Sequence, residues 1–125
     1  MLGPTAKIQP MVGTAKAEVA KAFYTDVLGM RLVEDDTFAL IFDLNGQRLR
    51  VNRVPAVIPS AYAILGFPVG DIVTTVRAIV AKGAVMERYG FFQQDADGIW
   101  TAPDGTKVAW FRDVDGNLLS VVQHI

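Results

Sequence analysis

The chain has 125 residues, of which 51% are hydrophobic, with 12 basic side chains against 13 acidic ones and no cysteine. This size and composition are typical of one globular domain with a packed core. The even charge balance disfavours nucleic acid as a partner, and the lack of cysteine excludes disulfides, thiolate catalysis and cysteine-bound zinc. Residues 1–10 contain no apolar run of signal-peptide length and no segment is long enough to cross a membrane, so we expect a cytoplasmic protein with no membrane partner.

The first predicted elements are a strand and a helix. Residues Lys7–Val12 predict a short, bulged or edge strand, because Pro10 has no N–H to donate. Thr14 is the predicted cap of a helix over residues 15–28, in which apolar side chains recur at helical spacing. Gly29 follows as a residue that ends a helix.

Three further strands complete the first half. They are predicted over residues 30–36, 38–44 and 48–54. The pair Asn45-Gly46 predicts a tight hairpin between the last two. In the third strand the polar residues Arg48, Arg50 and Asn52 share one face, because side chains alternate along a strand.

The second half repeats this order after a proline-containing linker at residues 55–60. A strand over residues 61–69 leads to Asp71, which is the predicted cap of a helix over residues 72–83. Strand-like segments follow over residues 85–94, 99–103, 106–112 and 118–125. The Asp-rich turns between them lack the ligand spacing of a calcium loop, so we interpret them as hairpin turns.

The repeated order predicts an α+β fold made of two βαβββ modules, with an additional small hairpin possible in the second. We expect one domain over residues 1–125, with module one at about 5–54 and module two at about 61–125. One helix covers only one face of each small sheet. Pairing the two modules therefore predicts a curved mixed sheet with a cavity for a ligand.

Two segments resemble a known superfamily. The stretch AKAFYTDVLGMRLVEDD, ending at Asp36, is similar to the first-helix signature of the glyoxalase, bleomycin-resistance and ring-cleaving dioxygenase group, also called the vicinal oxygen chelate superfamily. The ending WFRDVDGNLLSVVQ is similar to its final strand pair. The matching residues are Phe23, Tyr24, Leu28 and Gly29 in the first segment and Asp113, Asp115, Gly116 and Asn117 in the second. The resemblance is to the superfamily and not to one activity, since its members include lyases, isomerases and antibiotic-binding proteins.

The resemblance implies a metal in the cavity, held by His, Glu or Gln side chains on the first and last strand of each half. These positions correspond here to Gln9, to Arg50 or Asn52, to Ile64 and to Ser120. Of these, Gln9 is the one plausible ligand, because an alkyl group cannot bind a cation and a guanidinium repels one.

The residue inventory also disfavours a metal. A catalytic divalent cation needs about three firm protein ligands, and the only histidine, His124, lies next to the C-terminus. Glu34, Asp35, Asp36 and Asp43 are the remaining candidates, and solvated charge is the common explanation for carboxylates at strand ends. We therefore expect no metal and no other cofactor.

Other residues are candidates for lining the cavity. The predicted ligand-binding set is Arg48, Arg50, Asn52, Tyr62, Ile64, Trp100, Trp110, Ser120 and His124. For the arginines a solvated strand face is the alternative. For Trp100, Trp110, Phe91 and Phe92 the alternative to stacking on a planar ligand is packing in the core. His124 and Tyr62 are the candidates for a catalytic role.

These residues favour a protein that holds an apolar or aromatic small molecule without metal, as the antibiotic-sequestering relatives do. The alternative is a glyoxalase-, lyase-, isomerase- or dioxygenase-like enzyme acting on a small carbonyl or aromatic compound, with or without a metal. A structural or regulatory role, with the cavity vestigial, also stays open. A homodimer is expected in either case, because symmetric dimers are the commonest oligomers and relatives commonly form them. Whether the cavity lies within one chain or between two exchanged chains stays open.

Overall fold

A computed structural model describes all residues, 1–125, and divides the strands between two four-stranded sheets. The first half contributes β1 Met11–Thr14, α1 Ala17–Ala22, a π-helical turn Phe23–Val27, β2 Arg31–Asp35, β3 Ala39–Leu44 and β4 Gln47–Arg53. The second half contributes β5 Leu65–Pro68, α2 Ile72–Ala81, β6 Trp100–Thr101, β7 Lys107–Arg112 and β8 Leu118–Gln123. The strand orders are β1-β4-β3-β2 and β5-β8-β7-β6. The predicted α+β fold with two βαβββ modules is confirmed.

Both sheets have the same mixed pairing. The first strand of each half runs parallel to the last strand of that half, and the remaining neighbours are antiparallel. The Asn45-Gly46 turn joins β3 and β4 with φ angles of 51° and 89°, the left-handed pair that a tight hairpin requires. Gly29 ends the first helical segment at a φ of 75°, as predicted.

One core cluster of 17 buried residues spans the two halves. It contains Leu40, Phe42 and Val51 from the first sheet and Phe111, Leu119 and Val121 from the second, together with the buried sides of both helices. Each sheet therefore has one face in the core. The opposite face of each sheet, covered by neither helix, is called here the helix-free face.

Several predicted elements are wrong in their bounds. The first strand begins at Met11 and not at Lys7, because Pro10 has no N–H to donate to the neighbouring strand. The carbonyl of Pro10 still accepts a hydrogen bond from the N–H of Arg50 at 3.0 Å. The strand predicted from residue 61 begins at Leu65. Thr14 is not the helix cap but the last residue of β1, and α1 begins after Lys16 with no side-chain cap.

The strand predicted over residues 85–94 is not formed. That segment makes only isolated bridges, Met86 with Phe111 and Gln94 with Trp100, and the short β6 takes the place of a fourth strand. The segment is rich in aromatic side chains, which pack onto the sheet surface instead of extending its edge.

The turn after β7 joins the two halves. Buried Asp113 accepts the hydroxyl of Tyr24 at 2.6 Å, and Asp115 accepts the hydroxyl of Thr14 at 2.5 Å and the N–H of Ala15 at 2.9 Å. Asn117 donates to the carbonyl of Gly13 at 2.9 Å. Burial and the neighbouring Asp113 charge raise the pKa of Tyr24, so its hydroxyl stays a proton donor. We call Asp113, Asp115, Asn117, Thr14 and Tyr24 the clamp.

Candidate functional site

The helix-free faces carry different side chains in the two halves. Because cross-strand partners point to the same side of a sheet, the register identifies each face. On the first sheet the pairs are Ala39 with Asn52, Ile41 with Arg50 and Asp43 with Arg48. On the second sheet they are Val108 with Val122, Trp110 with Ser120 and Arg112 with Leu118.

The helix-free face of the second sheet carries a group of five aromatic side chains. Trp100 and Trp110 come from β6 and β7, and Tyr89, Phe91 and Phe92 come from the segment that precedes β6. The ring of Phe92 stacks on Trp110 with centroids 5.1 Å apart and planes at 2°, and it lies 4.7 Å from Trp100. These five residues are called here the aromatic cluster. None of them belongs to the buried core cluster.

Two features of the aromatic cluster are uncommon for side chains that pack together. The ring of Phe91 is 79% exposed although it lies 4.7 Å from Phe92. The hydroxyl of Tyr89 is buried and has no hydrogen-bond partner, which is uncommon for a buried polar atom. Burial raises the pKa of Tyr89, with a smaller contribution from Glu87, so the hydroxyl stays neutral and can still donate a hydrogen bond.

An ion pair ties the aromatic segment to the sheet. Arg112 donates to Glu87 at 2.6 Å and also to the carbonyls of Ser60 and Gly116 at 3.0 and 2.7 Å. The N–H of Glu87 bonds to the Trp110 carbonyl at 2.7 Å. The segment that carries Tyr89, Phe91 and Phe92 is therefore a loop that is fixed to β7 at Glu87. Sequence reasoning missed Tyr89 and Glu87, since a strand was predicted there.

The helix-free face of the first sheet is charged. Asp43 lies 3.6 Å from Arg48 and 3.7 Å from Arg31, while Arg50 bonds through Nε to the Asn52 side-chain oxygen at 2.7 Å. Arg50 and Asn52 are half-buried, and Arg48 is exposed. The predicted arginine face is thus a real cluster on one side of β4.

The remaining predicted residues lie apart from these groups. Tyr62 is 74% exposed in the turn before β5, so strand alternation does not reach it. His124 is exposed beyond the end of β8. Ile64 is 37% exposed and precedes β5, with its N–H bonded to the Leu118 carbonyl at 2.9 Å.

The strand pairing of the two halves can be compared at the positions where the resemblance implies metal ligands. Arg50 lies opposite Met11 of β1, and Ser120 lies opposite Gly66 of β5. Gln9 precedes Met11 by two residues, and Ile64 precedes Gly66 by two. Arg50 is therefore the counterpart of Ser120 in the duplicated fold, which makes Arg50 rather than Asn52 the equivalent position.

The residues at these positions do not fit a divalent cation. Gln9 is exposed and outside β1, Ile64 is an alkyl group, Arg50 is itself a cation, and the buried hydroxyl of Ser120 lies 3.5 Å from the Leu65 carbonyl. Across residues 1–125, no group of three or more His, Cys, Asp or Glu side chains is arranged to hold a metal ion. A metal needs about three such ligands together.

A separate cavity of about 280 Å³ lies between the two halves on their core side. Its walls include Leu28, Met30, Phe67, Ile79 and Phe111. None of the predicted ligand-binding residues lines it, so it is not part of the candidate site.

The family model described as Glyoxalase/Bleomycin resistance protein/Dioxygenase superfamily matches residues 8–121. The chain belongs to this superfamily. The segments singled out in the sequence, the first helix and the final strand pair, both lie within the match.

Solved structures of the superfamily share the fold at low identity. A lactoylglutathione lyase from Agrobacterium tumefaciens is 19% identical, with a TM-score of 0.73 over 97% of this chain and 95% of that one. A bleomycin-binding protein, solved in complex with bleomycin, is 21% identical, with a TM-score of 0.75 over 97% of this chain and 100% of that one. A glyoxalase/bleomycin resistance protein/dioxygenase from Nocardioides is 15% identical, with a TM-score of 0.73 over 100% and 87%. No curated protein sequence matches the chain.

No helix is long and apolar enough to span a membrane.

Proposed function

We propose that this superfamily member is a cytoplasmic small-molecule-binding protein that holds an apolar or aromatic ligand without a metal. The observation that carries the proposal is the aromatic cluster on the helix-free face of the second sheet. An exposed ring next to stacked rings offers a surface for a planar ligand. The bleomycin-binding relative shows that the same fold can bind a small molecule.

The lack of fit to a divalent cation supports binding without metal. Arg50 and Ile64 occupy positions at which the superfamily resemblance implies ligands, and neither can donate an electron pair to a cation. The catalytic alternative needs a group that exchanges a proton with the bound molecule. Tyr62 and His124, the two candidates, are both exposed, and neither belongs to the aromatic cluster.

The two tryptophans allow a direct test, since both belong to the aromatic cluster. A neutral nitroaromatic probe, 4-nitrobenzyl alcohol, is expected to quench their fluorescence saturably, and prior treatment with EDTA is expected to leave this unchanged. Trp110→Leu should weaken binding about tenfold, measured by calorimetry, because it removes the stacking surface. Phe38→Leu is the matched control, since Phe38 is an aromatic residue 72% exposed outside the cluster.

Two results would count against the proposal. Quenching that rises linearly without saturation would mean that the probe only collides with the tryptophans. Binding that disappears after EDTA and returns with a divalent cation would mean that a metal is required.

We also propose that the chain works as a homodimer. Support comes from the apolar side chains that the chain leaves exposed in its N-terminal segment, Leu2 and Ile8, and from the prevalence of symmetric dimers. Light scattering at micromolar concentration should give twice the mass of the chain. A monomer at that concentration would contradict the proposal.

A further inference from the structure

The cavity between the two halves is separate from the aromatic cluster and has walls of its own. It has a volume of about 280 Å³, and the two sheets on either side of it share no strand pair. Its walls come from both halves: the end of the first helical segment, the β3–β4 turn, β5 and α2. Four of its lining side chains are core residues, namely Met30, Ile79, Phe111 and Val121. No residue of the aromatic cluster lines it.

The lining of this cavity carries no charge. Of the 13 residues that line it, eight are hydrophobic and none is acidic or basic, so an ion inside would lose its hydration and find no counter-ion. Apolar walls also hold water poorly, because a bound water needs roughly two to four polar partners. The lining therefore favours a neutral, apolar occupant.

Polar side chains of the lining mark the side on which the cavity opens to solvent. Asn45 and Gln47 are exposed, and the half-buried Thr75 donates its hydroxyl to the Asp71 carbonyl at 2.8 Å. A side-chain amide both donates and accepts hydrogen bonds. Asn45 and Gln47 can therefore bind the hydroxyl or carbonyl group of a neutral molecule whose apolar part lies inside.

The volume and the neighbouring void limit the shape of the occupant. An apolar cavity of about 150 Å³ is large enough for one benzene molecule, and this cavity has roughly twice that volume. A void of about 90 Å³ adjoins it and adds the apolar side chains Leu49 and Leu65. The two share the lining residues Met30, Leu44, Gln47, Gly66 and Phe67.

The neighbouring void favours a flexible chain over a rigid ring system. An alkyl chain can extend from the cavity into the adjoining space, whereas a rigid ring system needs one wider space. Arg48 is the only charged residue that lines the smaller void, and it is already paired with Asp43 at 3.6 Å. The apolar character of the space is thus kept over both voids.

We propose that this cavity is a second binding site, which takes a neutral aliphatic molecule such as a medium-chain alcohol or ketone. The alkyl chain lies between the halves, and the polar end lies at Asn45 and Gln47. This site is independent of the proposed site at the aromatic cluster, since the two share no residue. A ligand that contacts both halves in the folded chain should also stabilise that chain.

n-Octanol is the probe, because it has a flexible chain, a neutral hydroxyl group and no aromatic ring. In an NMR titration of the isotope-labelled full chain, the amide signals of β5 and α2 should shift saturably while those of residues 87–99 stay in place. Affinity should rise about fourfold for each methylene added from n-butanol to n-octanol, as expected for a chain that becomes buried. Octanoate should bind about tenfold more weakly than n-octanol, because no cation lines the cavity to accompany its carboxylate.

Two neighbouring residues of α2 give a matched pair of variants. Thr75→Phe places a ring in the cavity and should weaken n-octanol binding at least about tenfold, since Thr75 belongs to the lining. Thr74→Phe is the control, because Thr74 is exposed and outside the lining. Trp110→Leu should leave the affinity for n-octanol within about twofold. Circular dichroism would establish that each variant is folded.

Several results would overturn the inference, and the first three need no variant. They are shifts concentrated in residues 87–99, affinity that does not rise with chain length, and octanoate that binds as tightly as n-octanol. Equal affinity in Thr75→Phe and Thr74→Phe would also overturn it. If n-octanol does not bind while 4-nitrobenzyl alcohol still quenches the tryptophans saturably, this inference fails and the proposed function stands. If only n-octanol binds, the reverse holds.

Discussion

The two halves share an element order and a mixed-sheet topology but differ on their helix-free faces. In the first half that face holds Arg48, Arg50 and Asp43, and a five-residue β2 completes the sheet. In the second half it holds Trp110 and its aromatic neighbours, and the two-residue β6 replaces a full fourth strand. The same backbone plan thus carries a charged surface in one half and an aromatic surface in the other.

This difference between the two halves distinguishes residues that the fold requires from residues that are available for a ligand site. The core-facing residues, such as Phe42 in the first sheet and Phe111 in the second, are apolar in both halves because each sheet must bury one face. The helix-free faces are only partly under that constraint, since Ile41 and Leu118 are buried on them whereas Arg48 is exposed. They can diverge, so the chemistry of the candidate site resides in the residues in which the halves differ.

The largest expected effect comes from separating the halves at the clamp. Asp113 is buried and accepts four hydrogen bonds, from the Tyr24 hydroxyl, the Asn117 amide and the N–H groups of Asp115 and Asn117. Asp113→Ala leaves these donors without an acceptor and should lower the free energy of unfolding by about 3 kcal/mol in urea denaturation.

Tyr24→Phe is a milder variant that tests one of these four hydrogen bonds. It removes a single donor and should cost about 1 kcal/mol. Asp26→Ala serves as the control, since Asp26 is an exposed aspartate in the adjoining π-helical turn. A loss of stability in Asp113→Ala no larger than in Asp26→Ala would show that the clamp does not hold the halves together.

A smaller effect is expected from disturbing the aromatic half alone. Phe92 is half-buried and stacks on Trp110, so Phe92→Ala should cost about 2 kcal/mol and release the loop over residues 87–99. Hydrogen exchange followed by mass spectrometry should show faster exchange in that loop and unchanged exchange in β2–β4. Faster exchange spread evenly over both halves would argue that the cluster supports the whole fold and not only its own face.

Much of the fold could be predicted from the sequence because its signals are local. The Asn45-Gly46 turn, the Gly29 helix end, the Asp71 cap and the alternation of β4 each depend on neighbouring residues only, and all four are present in the structure. The strand over residues 85–94 was wrong because a run of aromatic residues has the composition of a strand. In the structure Phe92 instead stacks on Trp110, 18 residues further along the chain, a contact that the composition of the segment does not reveal.

The candidate site was predictable to a similar degree. Alternation placed Arg48, Arg50 and Asn52 on one face, and the Asn45-Gly46 hairpin places Asp43 opposite Arg48. The surroundings of Arg50 also include Met11 of β1, which lies far away in the sequence, so its lack of an acidic partner could not be predicted locally. The clamp was missed for the same reason. Asp113 and Asp115 have the pattern of an ordinary hairpin turn, and their partners Tyr24 and Thr14 lie about ninety to one hundred residues away.

The smallest predicted effect concerns the N-termini of the two helices, which are capped differently. The N-terminus of α2 has two side-chain acceptors: Asp71 accepts the N–H of Thr74 at 3.1 Å, and Gln123 accepts the N–H of Ile72 at 2.8 Å. The N-terminus of α1 has no side-chain cap. The hydrogen bonds from Thr74, its backbone N–H first, lower the pKa of Asp71 below its ordinary value of 3.8.

This shift gives the cap a defined pH dependence. Because the folded pKa lies below the unfolded one, the stabilisation by Asp71 is fully present above pH 3.8 and is lost as the pH falls through the folded pKa. Asp71→Ala should therefore lower the melting temperature at neutral pH, and the difference from the unchanged chain should shrink in acid. Asp26→Ala, which removes an exposed carboxylate that caps no helix, should show no such pH-dependent difference. A melting-temperature difference for Asp71→Ala that stayed constant down to pH 2 would mean that the side chain acts through packing and not through its charge.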